Sequence, residues 1–123
     1  MLNWMASVRA MPVITGHTGL SLALLLAMTH FFCDFGLQSD RMAREKCPGC
    51  DVTLSWGWWL ISHAAIQGLG VALLTGQPLL GLAEWVVHAL IDRLKCAGLF
   101  SLVVDQTLHL ACKLLWVALL PLL

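Results

Sequence analysis

Four long apolar runs, each carrying polar side chains four residues apart, leave this 123-residue chain few ways to fold. The runs cover about residues 16–37, 56–75, 79–94 and 99–123, with a polar connection over residues 38–55. About 20 helical residues cross the hydrocarbon core of a bilayer. Each run is close to that length, the third being the shortest. Gly76-Gln77-Pro78 breaks the second run from the third as a tight turn. The first run reads as retained rather than cleaved, because no small-x-small site follows it.

Charge decides between a soluble and a lipid-solvated domain. Charged residues make up 11% of the chain and hydrophobic ones 59%, whereas a soluble domain carries about 25% charged residues. A surface facing lipid needs no charge. The expected fold is therefore all-α, an integral membrane four-helix bundle with up-and-down topology, forming a single domain. Trp56, Trp58 and Trp59 cluster where the second helix should begin, which suits a membrane–water interface. Formal net charge is zero, so nucleic acid is not an expected partner. The lipid bilayer is, and a bundle this small has surface for a homodimer, although no motif specifies one.

Orientation follows from the basic residues. Arg41, Arg44 and Lys46 lie in the first connection, Arg93 and Lys95 at the third, against Arg9 on the other side. The positive-inside rule then places both basic connections in the cytoplasm and both termini outside it. The expected location is a bacterial inner membrane.

The buried polar residues carry the functional reading. An ionisable group at mid-bilayer costs about 2.5–3.5 kcal/mol on insertion scales. Here they recur as His30 with Asp34, His63 with Gln67, Glu84 with His88 and Asp92, and Asp105 with His109. Spacing of i, i+4 puts each set on one helix face. In an up-and-down bundle Asp34, His63, Asp92 and Asp105 fall at similar depth. Small residues on the same faces, Ala23, Ala27, Gly70 and Gly81, allow close helix approach in lipid. Mixed His and carboxylate side chains from facing helices are how bundle cores hold metals. His30, Asp34, His63, His88, Asp92, Asp105 and His109 are the expected ligands of a divalent metal. The donor set suits zinc first, iron or manganese next.

A metal there would activate water and polarise an ester or phosphoryl oxygen. The expected function is thus a membrane-embedded metal-binding protein, a hydrolase of a lipid or lipid-linked substrate. Glu84 is the expected catalytic base, and Arg93 and Lys95 would hold a lipid phosphate. The competing expectation is non-enzymatic: an ion or proton pathway, a transporter component or a phage envelope factor with a buried polar network. Lys113 lies at a depth similar to Glu84, which predicts an ion pair between them. Cys47-Pro48-Gly49-Cys50 resembles half of a zinc knuckle or a redox motif. With five cysteines in all, the expected state is a reduced turn rather than a disulfide framework. Gln38-Ser39-Asp40 predicts the cap of a short helix over residues 41–46, lying at the interface.

The ordered motifs resemble a known family. His30-Phe31-Phe32-Cys33-Asp34-Phe35-Gly36-Leu37-Gln38, then Met42-Ala43 and Lys46, is similar to the opening of the family catalogued as domain of unknown function 3307. His63, His88-x-x-x-Asp92-x-x-Lys95 and Asp105-Gln106-x-x-His109 continue the likeness in order. The resemblance implies an uncharacterised membrane protein of bacteria or their phages. It supplies a fold expectation and little function.

Overall fold

The computed structural model describes residues 19–123, and all regular structure among them is helical. Helix α1 (Gly19–Phe31) runs on into a π-helical turn, Phe32–Gly36. A short helix α2 (Asp40–Glu45) follows, then α3 (Trp56–Thr75), α4 (Pro78–Cys96) and α5 (Leu102–Leu119), with a final 3₁₀ turn at Leu120–Leu122. The start expected at residue 16, the leading segment and Arg9 lie outside the described residues.

Local signals account for the boundaries. Ser39 caps α2, its Oγ accepting from Met42 N–H at 3.1 Å. Ser101 caps α5 in the same way, accepting from Val104 N–H at 3.3 Å. Gly76 ends α3 in the left-handed region, φ 69°, where a glycine carries no steric penalty. Pro78 then opens α4 at a position whose N–H would have no helical partner.

The four long helices pack in a ring: α1 touches α3 and α5, and α4 touches α3 and α5. The closest seam joins α3 to α4. A Cβ built on Gly68 would stand 2.6 Å from Gly81 O, and one on Gly81 would stand 2.6 Å from Ala72 Cβ. Gly70 faces the other neighbour, α1, where a Cβ would meet Thr29 Cγ2 at 2.8 Å. Backbone contact this tight is how helices associate in lipid.

Burial is inverted relative to a soluble domain. Among the described residues twelve polar or charged residues are buried against nine apolar ones. Large apolar side chains such as Leu24, Met28, Leu69, Leu82, Val86 and Leu114 face outward. A water-soluble surface would not be built this way. Three helical segments, Gly19–Gly36, Trp56–Thr75 and Leu102–Leu122, are long and apolar enough to cross a membrane. Helix α4 has 19 residues but carries Glu84, Asp92, Arg93 and Lys95. An apolar cluster of Leu22, Leu26, Val71, Leu80 and Trp116 fills one end of the ring. The polar residues fill the other.

Candidate functional site

The π turn helps to place the first carboxylate. The bond from Leu37 N–H to Phe32 O, 3.0 Å, spans five residues rather than four, as in the π-bulges that recur at functional sites. Asp34 sits inside this turn and is buried. Its Oδ1 lies 2.9 Å from His63 Nε2 on α3 and 3.6 Å from His88 Nε2 on α4. Those two imidazole nitrogens are 3.2 Å apart. Asp92 Oδ2 stands 3.4 Å from His63 Nε2 and 3.7 Å from His88 Nε2. The two imidazole nitrogens of His63 and His88 thus each face a carboxylate oxygen of Asp34 and one of Asp92.

The proton positions can be worked out from their neighbours. Glu84 Oε1 lies 3.3 Å from His88 Nδ1. The same oxygen accepts from Lys113 Nζ, and Glu84 Oε2 accepts from Trp116 Nε1 at 2.6 Å. A carboxylate so engaged can only accept, so His88 Nδ1 donates to it. In a neutral ring His88 Nε2 is then a bare lone pair. It faces one oxygen of Asp34, one of Asp92 and the Nε2 of His63.

Gln106, on α5, fixes a second ring. Its Nε2 donates to Asp34 Oδ2 at 2.7 Å and to Asp105 Oδ2 at 3.0 Å. Its Oε1 must therefore accept, and the donor is His30 Nε2 at 3.0 Å. His30 Nε2 thus carries a proton and is 3.7 Å from Asp34 Oδ2. Gln67 Nε2 adds a weaker contact to Asp34 Oδ1, 3.4 Å. Neither Gln67 nor Gln106 belongs to the ligand set expected from sequence, although Gln67 lies in an i, i+4 pair with His63 and Gln106 in the motif that contains Asp105 and His109.

On the other side of Asp92, His109 Nε2 lies 3.3 Å from Oδ1 and 3.5 Å from Asp105 Oδ1. His109 stacks on His88 with ring centroids 3.9 Å apart. All seven expected ligands are buried and gathered at one end of the helix ring. Three groups of at least three ligand-type side chains result: Asp34, His63 and His88; Glu84, His88 and His109; Asp92, Asp105 and His109.

The residue least visible in the sequence is Lys46. It comes from the polar connection, yet its Nζ donates to Asp92 Oδ2 at 2.5 Å. A disulfide joins the next residue, Cys47, to Cys96, one turn beyond Asp92, with Cα atoms 5.3 Å apart. This replaces the reduced turn expected for Cys47, while Cys50 stays free and exposed. Pairing of Cys47 with Cys96 depends on α2 docking on α3, which brings the chain just after α2 to the end of α4 and which spacing along the chain does not encode. Arg93 does not join the centre: its guanidinium lies over the Trp56 ring, 5.5 Å from the centroid. Lys95 is half-buried near the same end of α4.

Glu45, also missed by sequence reasoning, anchors the connection. Its Oε2 accepts from Thr53 N–H at 2.8 Å, Val52 N–H at 2.9 Å, Thr53 Oγ1 at 2.9 Å and Trp59 Nε1 at 3.2 Å. The Thr53 and Val52 backbone donors hold its carboxyl down at about 2. A carboxylate depressed in the folded state stabilises above its unfolded value and loses that effect as pH falls through the folded value. The loop over residues 46–55 is thus expected to stay protected down to about pH 4.5 and to open as pH falls toward about 2. Exchange rates of the Val52 and Thr53 amides measure this. In Glu45→Gln they should already be fast at neutral pH.

The model of a family described as a protein of unknown function, DUF3307, matches residues 21–121, so the chain belongs to that family. No curated protein and no solved structure matches. The matched region contains every residue of the centre.

Proposed function

We propose that this is a four-helix integral membrane protein built around a divalent metal, and that the metal serves hydrolysis of a lipid or lipid-linked substrate. The observation that carries the metal is the convergence of His63 Nε2, His88 Nε2, Asp34 Oδ1 and Asp92 Oδ2. For bonds of 2.0–2.1 Å, the ligand atoms around a tetrahedral zinc ion are about 3.3–3.4 Å apart. Five of the six separations among these four atoms, those that involve a His nitrogen, run from 2.9 to 3.7 Å and bracket that value.

Charge supports the same reading. Asp34, Glu84, Asp92 and Asp105 bring four buried carboxylates, against the ammonium groups of Lys46 and Lys113. One divalent ion balances the excess of two. Outer support is also in place. Glu84 on His88 Nδ1 is the carboxylate–histidine arrangement that orients metal-bound imidazoles. Glu84 therefore fits the role of orienting group better than that of base, because both its oxygens are engaged. His30 fits a supporting role, its Nε2 proton directed at Gln106. Arg93 and Lys95 remain the residues proposed to meet a lipid phosphate at the membrane surface.

The basic connections support a reading in which this end of the ring faces the cytoplasm from a bacterial inner membrane. Disulfides in that compartment are usually transient, so the Cys47–Cys96 bridge reads as a reducible staple holding Lys46 near Asp92.

A second reading is favoured by the Lys46–Asp92 ion pair itself. A tethered ammonium can neutralise part of the centre without metal, leaving a proton pathway or an inert polar network. Metal content separates the two. Protein extracted in mild detergent without chelator should hold at least one equivalent of zinc, iron or manganese per chain. Substoichiometric metal, with no rise in melting temperature on metal addition, would leave the metal-free network as the better account.

A further inference from the structure

Asp92 presents its two carboxylate oxygens to two different clusters. Oδ2 faces His63 and His88, and Oδ1 faces His109 at 3.3 Å. Asp105 Oδ1 completes the second cluster, 3.5 Å from His109 Nε2. This oxygen is buried and accepts no hydrogen bond. Its carboxylate is only 2% exposed. A buried, charged oxygen without a partner is costly, and it points at the same nitrogen as Asp92 Oδ1. The two separations again match the roughly 3.3–3.4 Å expected between ligands of one small divalent ion.

We infer that the centre is dinuclear, with Asp92 bridging the ion held by Asp34, His63 and His88 to a second ion held by Asp105 and His109. This rests on the metal reading above and extends it to a second position. The ring geometry fits: His88 and His109 direct Nε2 toward opposite oxygens of Asp92 and stack with centroids 3.9 Å apart. Paired ions in hydrolytic centres are about 3.5–4 Å apart. The second position has three protein ligands, the number that leaves room for water at a catalytic ion. The first, with four, is closed. The second ion is therefore the one that would bind and activate water. Its added charge is offset by a hydroxide and by displacement of the Lys46 ammonium from Asp92 Oδ2.

The test loads detergent-purified protein with zinc and counts bound metal, and in parallel loads Mn²⁺ and records its electron paramagnetic resonance spectrum. Wild type is expected to hold about two equivalents and to show a coupled manganese pair. Asp105→Asn and His109→Gln should each hold about one equivalent and show an uncoupled ion, with helical content unchanged. One equivalent in wild type, unaltered by either substitution, would overturn the second position and leave the first standing. Two equivalents retained in both variants would overturn the assignment of Asp105 and His109. No bound metal in wild type would overturn both readings together.

Discussion

His88→Ala is expected to abolish metal binding at the first position and with it the largest ligand-linked stabilisation of the fold. His88 is the only residue of the centre that both offers a lone pair to the converging carboxylates and is oriented from behind by Glu84. An ion present at 100 times its dissociation constant adds about 2.7 kcal/mol to stability. For a domain of this size that corresponds to a melting shift on the order of 10 °C. Wild type should therefore melt about that much higher with zinc than with chelator, and His88→Ala should keep only the smaller shift that the second position supplies. Glu84→Gln provides the graded control. It keeps the ligand but weakens its orientation, and loss of such a partner typically costs about 10–100-fold in metal affinity. Equal zinc-dependent shifts in wild type and His88→Ala would remove His88 from the site.

The sequence made the existence of a polar centre legible because helix periodicity is strict. His30 and Asp34, Glu84, His88 and Asp92, and Asp105 and His109 fall on single faces at i, i+4. Lipid leaves such faces nowhere to go but inward. The Glu84–Lys113 pair was legible for the same reason, from depth alone. What could not be read depends on the third dimension. Lys46 belongs to a polar connection, and nothing in its neighbours says that the chain just after α2 comes to the end of α4. The Cys47–Cys96 bridge follows from the same approach. The π turn adds a residue to one helical repeat around Asp34, and Gly36 marks the end of Phe32–Gly36 without announcing the wider turn before it. Gln106 lies next to Asp105 rather than four residues from it, so the periodicity argument passes over it. The roles within the centre also needed proton positions. His30 and His88 look alike as histidines on inward faces, yet Gln106 gives one an Nε2 proton and Glu84 leaves the other an Nε2 lone pair.

Lys113→Met is expected to produce the largest loss of stability among single substitutions away from the metal ligands. Lys113 and Glu84 are both almost fully buried, at 2% and 1% exposure, and are paired between α5 and α4. Removing one partner of a buried ion pair costs about 3–5 kcal/mol, because the remaining charge loses its compensation. Here Glu84 would keep only Trp116 Nε1 at 2.6 Å and His88 Nδ1 at 3.3 Å. Neither supplies a full positive charge when His88 is neutral. The double variant Lys113→Met/Glu84→Gln removes both charges and should recover a large part of the loss, since a buried pair replaced by uncharged groups is often nearly neutral. Methionine preserves the length of the lysine stem, so packing beside Trp116 changes little. Unfolding in mixed micelles of rising denaturing detergent measures all four members of this cycle. A double variant no more stable than Lys113→Met would mean that packing, rather than uncompensated charge, sets the cost. The cycle also bears on the metal. If Glu84 orients His88, zinc affinity should fall in the double variant even as the fold recovers. Stability and metal binding would then separate at a single carboxylate.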